Sequence, residues 1–287
     1  MFSSKRIVRA RGFSRIELVV VLAATALLGV MLVPFLSKSR VKGQASSCVA
    51  NMKKIGEAMA IYSRENAGKL PYAYILYTNE RQTSWDTLLG ARLGTPKPEP
   101  PPKNGIRVNV APVPEALHCP TDTLAPASWA EKYQLKRRSY SMTRHDMLPQ
   151  NWPPKFDNAT GAGLWWTFGA KGDRPPAERI YNHGATNQQA AVTMSMLLMP
   201  KNIMLVTEQI SSHNIAANGS RSFITRTLDH CETNGIAPDL LHGGRFNYLL
   251  ADGHVESLFP EETVGPNGKA GQHVSAHQGI WTIRVDD

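Results

Sequence analysis

The longest apolar stretch of the chain lies near its start. From Leu18 to Leu36 there are nineteen residues without a formal charge, and a carboxylate, Glu17, stands directly before them. An α-helix of about 20 apolar residues crosses a hydrocarbon core of roughly 30 Å. The pattern therefore predicts a membrane-spanning helix over residues 13–36.

A second helical pattern follows the apolar stretch. Pro34 predicts a bend, because proline removes one backbone hydrogen bond. Residues 37–66 predict an amphipathic continuation of the same helix, which Asn66-Ala67-Gly68 ends. Its apolar stripe, for which we expect core packing, consists of Val41, Ala45, Cys48, Val49, Met52, Ile55, Met59 and Tyr62.

Residues 67–287 alternate between short strand-like runs and irregular segments. Tyr140 and Met142 show the period-2 pattern of a strand, and Ile203–Thr207 is a second strand candidate. The eight prolines from Pro96 to Pro120 disfavour a central strand. We predict an α+β fold in which a long N-terminal helix packs on an antiparallel sheet with long irregular loops.

The clearest hairpin signal lies in residues 242–259. Asp252-Gly253 stands between two β-rich runs, which predicts a two-residue type I′ turn. In that register Leu250 faces Val255 and Leu249 faces Glu256.

The same hairpin offers a candidate metal site. His242, Asp252 and His254 form a legitimate ligand set if they converge. However, turn chemistry already explains Asp252, and His242 precedes the strand. We expect a structural role for His242, Asp252 and Gly253, with neither a metal nor another cofactor.

Charge and motifs narrow the function classes. The net charge of +9 includes four basic residues in the first twelve, which leaves +5 for the rest, and no block of five like charges occurs. We therefore expect no nucleic-acid partner. The basic start predicts a cytoplasmic N-terminus. CxxC, HExxH, GxSxG and P-loop motifs are absent from the sequence, so we do not expect an enzyme.

Residues 11–18, RGFSRIEL, resemble the cleavage and methylation signal of type IV prepilins and type II secretion pseudopilins. The resemblance implies that a prepilin peptidase removes residues 1–12 by cutting after Gly12 and then methylates the amine of Phe13. It also implies that Glu17 pairs with the Phe13 amine of an adjacent subunit during assembly. Arg15 departs from the pattern, which has an apolar residue there.

Further segments are similar to those of prepilin-like proteins. They are residues 48–71, the Cys-Pro-x-Asp element at 119–122, and His242 followed nine residues later by Asp252-Gly253. The three cysteines allow three pairings. Because Cys48 and Cys119 lie inside these segments, the resemblance favours a disulfide between them and leaves Cys231 free.

The resemblance implies a pilin-like fold and a subunit of a type IV pilus or type II secretion-type filament. Its partners would be the peptidase/N-methyltransferase, the inner membrane, and other copies or pilin-like subunits. The expected location is a single-pass inner membrane protein with residues 67–287 outside the cytoplasm.

Two other function classes stay open. One is a membrane-anchored adhesive or ligand-binding protein that uses Trp165 and Trp166. The other is an anchored metal-dependent hydrolase that uses His242, Asp252 and His254.

Overall fold

A computed structural model of the chain describes residues 15–76, 82–95, 113–145, 161–167, 192–218, 221–224, 227–231, 241–266 and 279–283. The chain divides into two units, Met1–Gly43 and Gln44–Asp287. The helix α1, Arg15–Glu65, begins in the first unit and ends in the second.

The second unit contains two short helices and a set of short strands. The helices are α2, Trp85–Leu89, and α3, Ser128–Lys132. The strands are β1, Tyr74–Leu76; β2, Gln82–Ser84; β3, Tyr140–His145; β4, Gly163–Thr167; β5, Met204–Glu208; β6, Phe223–Ile224; β7, Phe246–Leu250; and β8, Val255–Leu258.

The strands form one sheet in the order β2-β1-β4-β3-β5-β7-β8, and β6 also pairs with β3. The pairs β1/β2, β3/β5, β5/β7 and β7/β8 are antiparallel. The pairs β1/β4, β3/β4 and β3/β6 are parallel. The prediction of an antiparallel sheet is therefore wrong. The sheet is mixed because β4 and β6 return from long connections and pair in the same direction as their neighbours.

The predicted membrane-spanning helix over residues 13–36, and with it the pilin-like fold with a transmembrane half, also needs correction. Within the described part of the chain, no helix meets the length and apolarity needed to cross a bilayer. The same finding overturns the predicted location as a single-pass inner membrane protein.

The core of the second unit lies between the last part of α1 and the sheet. Cys48, Met52, Ile55 and Met59 are buried, which confirms core packing for this part of the stripe. Gly56 lets the helix approach the sheet closely, since a β-carbon there would come within 2.9 Å of the Leu249 side chain on β7.

The end of α1 follows the sequence signal. The helix stops at Glu65, and Gly68 has φ of +81° and donates its backbone N–H to the carbonyl of Ser63 at 2.8 Å. Glycine adopts this left-handed conformation without a steric cost, so it suits a helix end.

The hairpin between β7 and β8 has a different turn from the one predicted. Leu249 pairs with Val255 and Tyr248 with Glu256, one residue away from the predicted register. Gly253 has φ of +93°, and the N–H groups of Leu250 and Gly253 bond the carbonyls of His254 and Leu250. This is a three-residue loop with glycine in the left-handed position, which needs positive φ at one residue instead of two.

Candidate functional site

The residues of the N-terminal signal are only partly described. Gly12 and Phe13 lie outside the described residues. Glu17 lies in the first turn of α1, and both Arg15 and Glu17 are exposed. A carboxylate in this position interacts favourably with the helix dipole.

A disulfide joins α1 to the loop that follows residues Glu115–Leu117. It links Cys48 and Cys119, whose Cα atoms are 4.9 Å apart, and both residues are fully buried. Asn51 adds a second link, because its Nδ2 donates to the carbonyl of His118 at 2.9 Å. The structure thus brings together the two cysteines that the resemblance pairs, and Cys231 remains a free, buried thiol.

A buried acid and a histidine lie directly beside this disulfide. The Oε1 atom of Glu208 is 3.0 Å from Nε2 of His242, and the same Nε2 is 3.6 Å from the Sγ atom of Cys119. One potential ligand atom from each of Cys48, Cys119, Glu208 and His242 lies within 4.8 Å of the others. We call these four residues the Glu208 cluster.

The backbone around the Glu208 cluster fixes its polar side chains. Glu208 is the last residue of β5, and the neighbouring strand β7 supplies Asn247, whose backbone N–H and Nδ2 donate to Oε2 and Oε1 of Glu208 at 2.8 and 3.0 Å. His242 lies in the turn before β7 with φ of +49°, followed by Gly243 with φ of +70°. Within the described residues, Nδ1 of His242 has no hydrogen-bond partner.

The titratable groups near Glu208 are buried, and burial favours their neutral forms. Burial, followed by the charge of Glu208, raises the pKa of Tyr140 and of Tyr248 well above the ordinary value. Burial also raises the pKa of the Cys231 thiol to about 11. These groups therefore stay protonated at neutral pH.

His230 is a neutral histidine in the same region. Burial lowers its pKa to about 4. Its Nδ1 lies 2.6 Å from the carbonyl of Glu208, and its Nε2 lies 2.9 Å from the hydroxyl of Tyr248. A neutral ring satisfies both contacts when Nδ1–H donates to the carbonyl and Nε2 accepts from the phenol.

A second buried pair explains the Cys-Pro-x-Asp element. Asp122 accepts two hydrogen bonds from Arg137 at 2.8 and 2.7 Å, and a third from the hydroxyl of Ser139 at 2.7 Å. Both charged side chains are buried. The aspartate thus fixes the loop that carries Cys119 against the residues that lead into β3.

The predicted trio of His242, Asp252 and His254 is divided between two places. Asp252 accepts from the backbone N–H of His254 at 3.1 Å and contacts its ring, and the other ring nitrogen of His254 lies 3.0 Å from Glu256. His242 belongs instead to the Glu208 cluster, and the five residues of β7 separate it from the turn by about 16 Å of strand. Asp252 and Gly253 therefore build the turn.

For the two tryptophans of the adhesive hypothesis, the structure describes only the backbone. Trp165 and Trp166 lie in β4, opposite Tyr74 and Ile75 of β1. Their side chains fall outside the described part of the structure.

Sequence reasoning missed Glu208 and its partner Asn247. A signal was present, because the strand candidate Ile203–Thr207 is immediately followed by a carboxylate. The observed strand includes that residue, as β5 is Met204–Glu208 and is buried throughout. A charged residue inside a buried strand needs a partner, so it marks a functional or structural site.

No family model, curated protein or solved structure matches this chain significantly. The prepilin resemblance therefore rests on the sequence segments alone.

Proposed function

We propose that this chain is a pilin-like subunit that is cleaved after Gly12 and assembles through α1 into a type IV pilus or type II secretion-type filament. The observation that carries the proposal is the exposed apolar surface at the start of α1. Eight large apolar side chains there are between 50% and 77% exposed. They are Ile16, Leu18, Val19, Val20, Val21, Leu22, Leu27 and Leu28.

An exposed apolar surface of this kind favours association. Isolated exposed apolar residues are common in proteins, but a contiguous patch marks an interaction site. The prepilin resemblance of residues 11–18 implies that the corresponding helix of another subunit packs against this apolar surface. Packing several such helices together removes their apolar side chains from water.

Glu17 gives this association a direction. It precedes the apolar residues and lies in the first turn of α1. A carboxylate that becomes buried among apolar helices needs a positive partner, because burying an unpaired charge is costly. The methylated amine of Phe13 from a neighbouring subunit supplies that charge. This pair therefore fixes the axial position of each helix relative to its neighbour.

The same helix carries the second unit into the assembly. From Gln44 onward α1 belongs to that unit, where Met52, Ile55 and Met59 are buried and Cys48 is covalently linked to Cys119. In this proposal the function of the chain is assembly.

The proposal is tested with Glu17→Gln in cells that contain a prepilin peptidase and a filament assembly system. We expect the variant to be cleaved normally but to be lost from sheared filament fractions, because the amide keeps the size of the side chain and removes its charge. Glu57→Gln is the matched control, since Glu57 is an exposed glutamate on the same helix. Equal filament content for wild type and Glu17→Gln would contradict the proposal, as would a wild-type chain that never enters filaments.

A further inference from the structure

The Glu208 cluster collects four zinc-type ligands from four separate parts of the chain. Cys48 comes from α1, Cys119 from the loop near α1, Glu208 from the end of β5 and His242 from the turn before β7. Cys48, Cys119 and the Glu208 side chain are fully buried, and the His242 side chain is 5% exposed. Zinc binds thiolate, imidazole and carboxylate groups, so every member is a suitable donor.

The two contacts of His242 within the cluster are close to the spacing of a tetrahedral site. Zinc holds its ligand atoms at about 2.0–2.3 Å, which places them roughly 3.3–3.8 Å from one another. Nε2 of His242 is already 3.0 Å from Oε1 of Glu208 and 3.6 Å from Sγ of Cys119. Zinc binding would require the two bonded sulfur atoms to separate, and the four ligand atoms, which all lie within 4.8 Å of one another, to move to tetrahedral spacing.

We propose that reduction of the Cys48–Cys119 disulfide converts the Glu208 cluster into a zinc site, with Cys48, Cys119, Glu208 and His242 as the four ligands. In the oxidised chain the sulfurs are bonded to each other and supply no thiolate, the form that binds metal. The disulfide and the metal therefore exclude each other. This inference is independent of the filament proposal.

The chemistry balances with a dithiol as reductant. The dithiol passes two electrons and two protons to the disulfide, so that the Cys48–Cys119 bond breaks, two thiols form and the reductant becomes a disulfide. Zn²⁺ then displaces the two thiol protons, which are released to solvent. Two thiolates, a carboxylate and a neutral imidazole complete the coordination shell.

Neighbouring groups hold the ligands in place in the oxidised chain. Asn247 fixes both carboxylate oxygens of Glu208, and the hydroxyl of Thr121 lies 2.9 Å from Sγ of Cys119 and 3.7 Å from Sγ of Cys48. Such contacts around a metal site orient its ligands and strengthen binding.

A groove gives solvent a path to the neighbourhood of both cysteines. Its volume is about 1190 Å³. Ser47, His118 and Pro120, the immediate chain neighbours of Cys48 and Cys119, line it. The groove therefore brings solvent to the chain on either side of the disulfide, whereas the two cysteines themselves are fully buried.

The test compares oxidised and reduced full-length protein. The reduced sample is prepared with a phosphine, freed of it without oxygen, and titrated with Zn²⁺ against a coloured chelator. We expect about one equivalent of tightly bound zinc in the reduced protein and none in the oxidised protein. With zinc bound, alkylation should reach neither Cys48 nor Cys119, and Co²⁺ should give the visible spectrum of a tetrahedral thiolate site.

Variants separate the site from general effects of reduction. His242→Gln should weaken zinc binding by about 100-fold or more. Loss of a group that only orients a ligand already costs up to about 100-fold, and His242 is itself a ligand. His254→Gln and Cys231→Ser are the controls and should bind zinc like the wild type.

Three results would overturn the inference. They are equal zinc binding by oxidised and reduced protein, wild-type affinity in His242→Gln, and a reduced chain whose circular dichroism stays that of an unfolded protein after zinc is added.

Discussion

Removal of the disulfide should lower the stability of the second unit strongly. The perturbation is the double variant Cys48→Ser and Cys119→Ser, which leaves no new free thiol. The two cysteines are 71 residues apart in sequence. A cross-link that closes a loop of this length lowers the conformational entropy of the unfolded chain, which stabilises the folded state by about 4 kcal/mol near 25 °C. We therefore expect the variant to lose about 4 kcal/mol of unfolding free energy.

Packing should keep the variant folded in the absence of denaturant. Met52, Ile55 and Met59 of α1 remain buried against the core, and Asn51 still bonds the carbonyl of His118. The lost stability should therefore appear as a lower midpoint in urea, with a native-like spectrum before the transition.

The assay is equilibrium unfolding of the oxidised full-length chain. Trp85 and Trp281 are fully buried, so their fluorescence reports loss of the core. Cys231→Ser is the matched control, because it removes a buried cysteine that is not cross-linked. A loss below about 1 kcal/mol in the double variant, no larger than that of the control, would refute the reasoning and show that packing alone fixes α1.

Three further changes test other parts of the second unit. Asp122→Asn should cost about 3–5 kcal/mol, because Arg137 keeps a buried charge without its partner, whereas replacing both with apolar residues should cost much less; unfolding midpoints of the single and double variants measure this. Leu249→Ala should cost about 2–5 kcal/mol in the same assay by opening a cavity under α1, and the exposed Leu198→Ala should cost little. The unfolding free energy should rise with pH between about 4 and 6.5, because the unfolded chain protonates His230 in that window and the folded chain holds it neutral. This contribution, about 3 kcal/mol, is complete above pH 6.5 and absent below about pH 4. His230→Phe should flatten this part of the curve, and an unchanged slope would contradict the assignment.

The helical part of the fold was predictable because its signal is local. The buried positions Cys48, Met52, Ile55 and Met59 recur at helical spacing, and Gly68 marks the helix end. The hairpin was predictable for the same reason, since Asp-Gly favours a turn in any context. The register of the hairpin was not predictable. Both a two-residue loop and a three-residue loop place glycine at a positive φ, and they differ only in whether a second residue also has a positive φ.

The sheet and the Glu208 cluster depend on contacts that the sequence does not reveal. The parallel pairing of β4 with β1 and β3 joins segments far apart in the chain, so no local pattern specifies it. Likewise His242 is 34 residues from Glu208 and 123 residues from Cys119. Resemblance pointed to His242 and to the cysteines separately, and only the fold brings them to one point with Glu208.

The most direct test of the proposed function is the intact mass of the protein isolated from its native cells. The account predicts a chain that begins at Phe13, with residues 1–12 removed and one methyl group on the new terminal amine. An uncut chain that still begins at Met1, or one cut at a different residue, would contradict it.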